Sequence, residues 1–276
     1  MKKKKRSSIG NKAVDSPYLL WSVLFIIAPM FFVVYYSFTT SSGTFTWDNI
    51  AELGKYTDTF LRSIWFGVLA TIICLVMAYP IAYIISKTSS NAQRTMVALV
   101  MLPMWMNFLI RTYSWMAILQ DTGIINTLLG KIGIGPRHMR NTPGAVILGM
   151  VYNFLPFMIL PLYSVMSKLD KSVIEAAQDL GGNRLTVMQK VIVPLSMPGI
   201  ASGLTMVFVP SVSTFYISQK LGGGSFDLIG DVIERQFQQS YNYNLGAAIS
   251  LVLMILILLC MAFLNKFTSD EEGMVI

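Results

Sequence analysis

The chain has 276 residues, of which 54% are hydrophobic and 13% are charged, and its net charge is +7 with a mean hydropathy of +0.59. A water-soluble domain of this length would carry about twice that share of charged residues, so the composition excludes one. Because a bilayer tolerates unpaired backbone groups poorly, we expect an all-α integral membrane protein.

Apolar stretches long enough to cross a bilayer recur along the chain. Crossing ~30 Å of hydrocarbon takes about 20 mostly apolar residues in a helix. Six segments meet this requirement: Tyr18 to Phe38, Ser63 to Ile85, Thr95 to Leu119, Pro143 to Met166, Val191 to Phe215, and Leu245 to Phe267. Prolines interrupt the third, fourth and fifth, which is typical of ordinary kinking or of helices beside a water-filled cavity. The sequence therefore predicts six transmembrane helices, three of them broken.

Basic residues are distributed unevenly between the two sides. The segment 1–16 begins with five consecutive basic residues, Lys2 to Arg6, and placing it in the cytoplasm puts 13 of the 21 basic residues on that side. Both tails, 1–16 and 268–276, are then cytoplasmic, in a bacterial inner membrane. The first apolar run is too long for a cleaved signal peptide, so we expect it to remain as a membrane helix. The positive charge indicates topology and attraction to anionic lipid rather than nucleic-acid binding.

A polar, amphipathic segment lies in the cytoplasmic loop between the fourth and fifth spans. Ser172 and Glu175 have the spacing of a capping box, and Gly181-Gly182 ends the helix that they predict. One face of this helix carries small apolar side chains, namely Val173, Ala176, Ala177 and Leu180. Such a face either lies on the membrane surface or docks on another protein, and its alanines favour docking.

The same loop resembles the EAA loop of prokaryotic ABC importer permeases. Glu175-Ala176-Ala177 is followed after three residues by Gly181 and, nine residues later, by Val191-x-Val193-Pro194, where that family usually has Ile-x-Leu-Pro. The resemblance implies a type I ABC importer permease whose loop, here 167–194, forms a coupling helix on a separate ATPase. It assigns ATPase coupling to Glu175, Ala176, Ala177 and Gly181.

Other segments are similar to the spermidine/putrescine permeases of the PotB type. They are Pro103-x-Trp105-x-Asn107-x-Leu109-Ile110-Arg111-x-Tyr113, Leu155-Pro156-Phe157-Met158-x-x-Pro161-Leu162-Tyr163-Ser164, Lys168-Leu169-Asp170, Phe215-Tyr216-x-Ser218 and Leu228-Ile229-Gly230. This similarity implies a polyamine as the solute and a permease domain at 59–267, preceded by a first helix and outer loop at 17–58. Permeases for sulfate, iron or other small solutes share the coupling loop, so they remain the alternative.

The resemblance also implies what the chain works with. An ABC ATPase dimer would bind ATP and Mg, a second homologous permease would complete the path, and an extracytoplasmic binding protein would deliver the solute. The sequence agrees, since Gly222-Gly223-Gly224-Ser225 lacks the lysine of an ATP-binding loop. We therefore predict a non-catalytic transport subunit with no cofactor of its own.

Aromatic and polar residues near the spans are candidates for the path of a polycation. Aromatic faces hold ammonium groups through cation–π contacts worth ~0.5–2 kcal/mol each. The candidates are Trp105, Asn107, Tyr113, Tyr152, Tyr216, Asp231 and Glu234. Packing or a place in the interfacial belt explains each aromatic equally well, and a solvated charged face explains the two acids.

Arg111 is the residue whose charge lies clearly inside a predicted span, near the middle of the third one. We expect it either to act in function or to pair with a carboxylate or with helix carbonyls, in this chain or in a partner. Metal chemistry is not expected, because His138 is the only histidine and Cys74 and Cys260 lie singly in spans. An ion-coupled carrier would need carboxylates in its spans and an internal repeat. A membrane scaffold or sensor would give the Glu175 loop no function.

Overall fold

The structure is a computed structural model that describes residues 17–272, with side chains from 17 to 263. Helices fill most of this range, and its one extended pairing is the isolated bridge between Thr39 and Phe45. The predicted basic tail 1–16 lies outside the described residues, as do the last four residues of the predicted tail 268–276. The chain divides into two compact units, a smaller one of 17–55 with 233–255 and a larger one of 56–232 with 256–272.

The helices follow one another with short connections. In chain order they are α1 (Pro17–Ser37), α2 (Asp48–Ala51), α3 (Thr57–Lys87), α4 (Ser90–Trp105), α5 (Phe108–Ile118), α6 (Ile124–Lys131), α7 (Pro143–Met166), α8 (Lys171–Asp179), α9 (Arg184–Val187), α10 (Val193–Leu195), α11 (Met197–Ser213), α12 (Tyr216–Gly222), α13 (Ile229–Gln238) and α14 (Tyr243–Glu272). A 3₁₀ turn, Glu52–Tyr56, joins α2 to α3, and a π turn, Met188–Ile192, joins α9 to α10.

Four helical stretches are long and apolar enough to cross a membrane unbroken. They are Pro17–Ser37, Asp48–Lys87, Pro143–Met166 and Tyr243–Phe263. Two further spans are bent pairs: α4 with α5 at 87°, and Arg184–Leu195 with Met197–Ser213 at 66°. Counting each bent pair once gives six spans in the described part of the chain, the number that the sequence predicts.

The fourth span departs from the prediction of a broken helix. α7 runs without interruption from Pro143 through Pro156 and Pro161 to Met166. Proline removes one backbone hydrogen bond from a helix, but neighbouring helices in a membrane bundle allow the helix to continue. Half of the residues of α7 are buried in the larger unit, so its surroundings hold it in one piece.

The core of the larger unit is formed by α3, α7 and α11. Small side chains let the helices approach closely, and a row of them on α3 is fully buried: Ala70, Cys74, Ala78 and Ala82. Larger side chains of α7, among them Met150, Met158 and Leu162, fill the space beside them. Cys74 is thus a small buried hydrophobe, as its mid-span position predicts.

The glycine pair Gly199 and Gly203 packs inside this core. From sequence alone, the pattern fits contact within the subunit or with a second permease equally well. A Cβ on Gly199 would lie 3.1 Å from the Pro161 carbonyl oxygen and 3.2 Å from the Val165 side chain, and a Cβ on Gly203 would lie 2.5 Å from Met158 Sδ. Both glycines therefore face α7 of the same chain.

The smaller unit is held together by two asparagine side chains. Asn244 Nδ2 donates to the carbonyl oxygens of Thr39 at 2.6 Å and Tyr36 at 3.1 Å. Asn49 Nδ2 donates to the carbonyl oxygens of Ser37 at 3.2 Å and Thr39 at 2.9 Å. These bonds satisfy carbonyls that the end of α1 leaves without a helical partner. They fix the end of α1 to α2 and to the start of α14.

Candidate functional site

The candidate coupling helix α8 begins at a cap that lies earlier than the sequence predicts. Asp170 is the N-cap, and its Oδ1 accepts the Ser172 N–H at 3.0 Å. Ser172, the predicted start of a capping box, therefore lies inside the helix. This bond, together with one to the Ser172 side chain, holds the pKa of Asp170 below its ordinary value of 3.8. A charged carboxylate at a helix N-terminus also stabilises the helix through its dipole.

The C-terminus of α8 is closed by Gly181, as the sequence predicts. Gly181 has φ +84°, in the left-handed region. Its N–H donates to the Gln178 carbonyl at 2.9 Å, and the Gly182 N–H donates to the Ala177 carbonyl at 3.1 Å. This pair of bonds is the Schellman motif. A Cβ at position 181 would meet no atom within 4 Å, so the backbone conformation, and not a lack of space, favours glycine there.

The two sides of α8 have different surroundings. Ile174 and Gln178 line a cavity of about 300 Å³ together with Tyr83, Arg184 and residues of the following turn. On the other side, Val173 and Ala176 are exposed and Leu180 is 90% exposed. Glu175 is exposed as well, and it forms no ion pair with a described side chain. An apolar stripe of Val173, Ala176 and Leu180 is thus exposed along one face of α8, and Glu175 is exposed on a different face of the same helix.

The return segment connects α8 to the core. Asn183 caps α9, its Oδ1 accepting the Thr186 N–H at 2.8 Å. The chain then passes through the π turn and Pro194 to Ser196, where the 66° bend separates it from α11. Ser196 is fully buried, and its Oγ lies 3.0 Å from the Tyr79 hydroxyl of α3. A side-chain contact therefore links the end of the loop to a core helix.

The predicted break of the third span lies just beyond Pro103. α4 ends at Trp105, and Asn107 begins α5 by accepting the Leu109 N–H at 2.8 Å. Trp105, beside this break, is 75% exposed. Asn107 thus acts as a helix cap at the 87° bend, a role that accounts for its place in the sequence pattern.

Tyr113 and Tyr216, two of the predicted path residues, are brought together. Their ring centroids are 6.2 Å apart and their planes meet at 87°. The ammonium group of Lys220 lies 5.6 Å from the Tyr113 centroid and 5.7 Å from that of Tyr216. Phe108 extends the group, with its centroid 5.8 Å from Tyr216. The result is an aromatic cluster, Phe108, Tyr113 and Tyr216, that already holds a cation.

Arg111 is buried beside this cluster without a carboxylate. Its side chain is 8% exposed, and its Nε and Nη1 atoms have no hydrogen-bond partner among the described residues. The guanidinium carbon lies 5.9 Å from the Phe108 ring centroid. A carboxylate partner, one of the two roles expected from sequence, is therefore not found within the described part of this chain.

Three further residues predicted to line the path are Tyr152, Asp231 and Glu234. Tyr152 packs edge-on against Trp115, with ring centroids 5.3 Å apart. Asp231 is 4% exposed, and its carboxylate accepts the Ser218 hydroxyl and the Leu228 N–H, each at 2.8 Å. It thus has a structural role at the start of α13. Glu234 belongs to the smaller unit and is half-buried.

Comparison with known protein families identifies the family to which this chain belongs. Residues 63–269 match the family described as the binding-protein-dependent transport system inner membrane component. The chain belongs to this family. It is a multi-pass inner membrane permease with the type I fold of ABC importers, as the EAA loop predicts.

Several curated relatives are similar to this permease over most of its length. The spermidine/putrescine transport system permease protein PotB of Haemophilus influenzae is 40% identical over 241 residues, covering 84% of each chain. PotB of Escherichia coli K12 is 38% identical over 84% of this permease and 88% of the relative. The Escherichia coli inner membrane ABC transporter permease protein YdcU is 30% identical over 76% of this permease and 71% of the relative.

A solved structure has the same fold. A chain of a bacterial ABC transporter that imports the acidic polysaccharide alginate superposes with a TM-score of 0.75, covering 95% of this permease and 98% of that chain at 18% identity. A second alginate transporter structure, in complex with a pentasaccharide-bound periplasmic protein, gives a TM-score of 0.72 at 17% identity. Likeness at this level of identity shows the fold alone.

Two features of the permease were missed from sequence. Lys220 was counted only as an outer basic residue, although its spacing of four from Tyr216 places both on one side of a short helix. Its contact with Tyr113 joins residues more than 100 positions apart, and no local pattern indicates such a contact. The Tyr79–Ser196 contact is equally distant in sequence.

Proposed function

We propose that this permease is the membrane-spanning subunit of an ATP-driven importer of polyamines, with spermidine and putrescine as solutes. The observation that carries the solute class is the 38–40% identity, over 84% of the chain, to relatives named as spermidine/putrescine permeases. One chain with six spans supplies half of a translocation path. A second, homologous permease supplies the other half.

Coupling to ATP hydrolysis takes place through α8. Its outward stripe of Val173, Ala176 and Leu180 suits close approach to another protein, and Glu175 offers an exposed carboxylate on a different face of the same helix. A groove of a separate ABC ATPase dimer would receive this surface. The ATPase binds ATP and Mg, while this subunit carries out no chemical step. Glu175, Ala176, Ala177 and Gly181 are the coupling residues.

The remaining partners follow from the same reading. An extracytoplasmic binding protein captures the polyamine and delivers it to the outer mouth of the path. Both termini of the permease lie in the cytoplasm, on the same side as the ATPase. The path residues are the cluster of Tyr113 and Tyr216 together with Trp105 at the 87° bend.

A second candidate is supported by the cations near the path. Arg111 and Lys220 both lie against the aromatic cluster. Two positive charges there would suit an anionic solute, such as sulfate, better than a polycation. An ABC importer of a small anion is therefore the alternative that the experiment must separate.

The test is uptake of labelled spermidine by bacterial cells that lack this chain and are complemented with variants of it. We expect the wild type to restore uptake and Glu175→Ala to abolish it, with equal amounts of both chains in the membrane. Glu52→Ala is the matched control, because Glu52 forms an exposed ion pair with Lys55 and lies outside the coupling loop. That variant should transport as the wild type does.

The outcomes separate the parts of the proposal. Full uptake by Glu175→Ala would contradict the coupling role. If the wild type restores no polyamine uptake but restores uptake of sulfate, the solute is an anion and not a polyamine. If the wild type does restore spermidine uptake, competition by unlabelled putrescine distinguishes a general polyamine path from one that accepts spermidine alone.

A further inference from the structure

The ammonium group of Lys220 is held by two tyrosines, through their rings and a hydrogen bond to the Tyr113 hydroxyl, rather than by a carboxylate. Its distances of 5.6 Å and 5.7 Å to the centroids of Tyr113 and Tyr216 fall within the range of cation–π attraction. Lys220 forms no salt bridge with a described side chain. Tyr216 and Lys220 lie one turn apart on α12, and Tyr113 reaches them from α5.

This position is accessible rather than sealed. Tyr113 is 45% exposed, and Tyr216 and Lys220 are both half-buried. A cation–π contact at such a position is weak, so the lysine can leave it and return. The side chain has four rotatable methylenes, which allow the ammonium group to withdraw without movement of the helices.

The lysine side chain also resembles the proposed solute. It carries a primary ammonium group on a chain of four methylenes, and putrescine consists of four methylenes with a primary ammonium group at each end. Rings that hold the Lys220 ammonium group are therefore suited to the terminal ammonium group of a polyamine. The two cations cannot share the same ring faces, because like charges at that distance repel.

We propose that Lys220 is a tethered competitor for a polyamine ammonium site formed by Tyr113 and Tyr216. This inference rests on the proposed function. The lysine fills the site when no solute is present and must be displaced for a solute ammonium group to bind there. A tethered group competes at an effective concentration on the order of millimolar. Lys220 thus keeps the site weak, so that an arriving polyamine is released onward instead of being trapped.

The experiment uses the assembled transporter in proteoliposomes with its binding protein, and it measures inhibition of labelled spermidine uptake by butylammonium. Lys220→Met removes the charge but keeps a flexible chain of similar length. We expect butylammonium to inhibit this variant at a concentration about 2- to 30-fold lower than the wild type, as the strength of one cation–π contact allows. Butanol, of the same size but uncharged, should inhibit both equally.

Three further variants make the test specific. Lys131→Met, at an exposed end of α6, removes one positive charge elsewhere and should behave as the wild type does. Lys220→Arg keeps a cation on the rings and should also retain the wild-type sensitivity. Adding Tyr113→Leu to Lys220→Met removes one ring of the site, so the extra sensitivity to butylammonium should disappear.

The results that would overturn the inference are distinct from failure of the proposed function. Equal sensitivity of Lys220→Met and the wild type, in transporters that import spermidine, would show that the lysine does not compete. Failure of both Lys220→Met and Lys220→Gln to assemble would make the lysine a structural link and would equally overturn it. A wild-type transporter that imports no polyamine would instead contradict the proposed function.

Discussion

The Tyr79 hydroxyl and Ser196 Oγ lie 3.0 Å apart, joining the core helix α3 to the 66° bend that ends the coupling loop. Ser196 Oγ is also 2.9 Å from the Val193 carbonyl oxygen. The serine is therefore bonded both to its own turn and to a helix of the core. If α8 moves during transport, as the proposed coupling requires, we expect the movement to reach α3 through this contact.

Removing this contact should weaken coupling more than it weakens folding. In Tyr79→Phe the ring still packs, while a hydrogen bond worth about 0.5–1.5 kcal/mol is lost. We expect a lower ratio of spermidine imported to ATP hydrolysed, with near-normal amounts of assembled transporter. The measurement is paired uptake and ATPase activity in proteoliposomes. Ser202→Ala is the control, since its hydroxyl donates to the Pro198 carbonyl within α11. An unchanged ratio in Tyr79→Phe would contradict the link.

The left-handed residue that ends α8 gives a graded prediction. At Gly181, with φ +84°, an L-residue costs roughly 1–2 kcal/mol, least for asparagine and most for a β-branched side chain. Transport should therefore decline from wild type to Gly181→Asn to Gly181→Val. Gly181→Asp adds a negative charge beside the outward stripe and should abolish transport.

Membrane insertion of these Gly181 variants should remain intact, since position 181 has open space around it. The amount of each chain in the membrane is the control measurement. If Gly181→Val transports as well as Gly181→Asn, the left-handed conformation is not required for coupling.

The Asp170 cap predicts how coupling responds to pH. Because its pKa in the folded chain lies below 3.8, the carboxylate is charged at neutral pH and the cap is fully formed. A lowered pKa contributes stability above the unfolded value, and this is lost only as pH falls through the lower folded value. We expect no change in the cap between about pH 5.5 and 8, because these values lie well above the pH at which the Asp170 carboxyl takes up a proton.

Substitutions at Asp170 separate the cap from its charge. Asp170→Asn keeps a capping oxygen and should retain protection of the α8 amides in hydrogen exchange at pH 7. Asp170→Ala loses the cap and should exchange faster over the first turn. Equal exchange in the alanine and asparagine variants would show that the Ser172 bond does not hold the helix end.

The close contact between α11 and α7 predicts a loss of stability on enlarging Gly199. A side chain there meets the Pro161 carbonyl oxygen and Val165, so Gly199→Val should overpack the core at a cost of typically 1–3 kcal/mol. The check is the thermal stability of the purified transporter. Gly130→Val on α6, where a Cβ meets nothing within 4 Å, is the control. A stable Gly199→Val would imply that α7 and α11 move apart easily.

Some of these features could be predicted from sequence because local chemistry determines them. Pro103 indicated the broken third span, although the bend falls three residues later, where Asn107 caps the next helix. Gly181 indicated the end of α8 because left-handed backbone favours glycine. The N-cap prediction was wrong: two acceptable caps, Asp170 and Ser172, stand close together, and spacing alone does not rank them.

Features that depend on packing could not be predicted in this way. From sequence, Asp231 was a candidate for the solute path or for a solvated charged face, yet the fold buries it against Ser218 and the start of α13. Pro156 and Pro161 read as breaks, yet the surrounding helices keep α7 continuous. In both cases tertiary contacts overrode a local tendency.

The first helix has a consequence for how the protein is made. Nearly all side chains of α1 are exposed and most are apolar, so this helix meets the requirements of a membrane span by itself. It can therefore leave the ribosome and enter the bilayer before the core helices exist, as an anchor for those that follow. Lipid acyl chains cover its apolar surface there, so its insertion does not depend on packing against another helix.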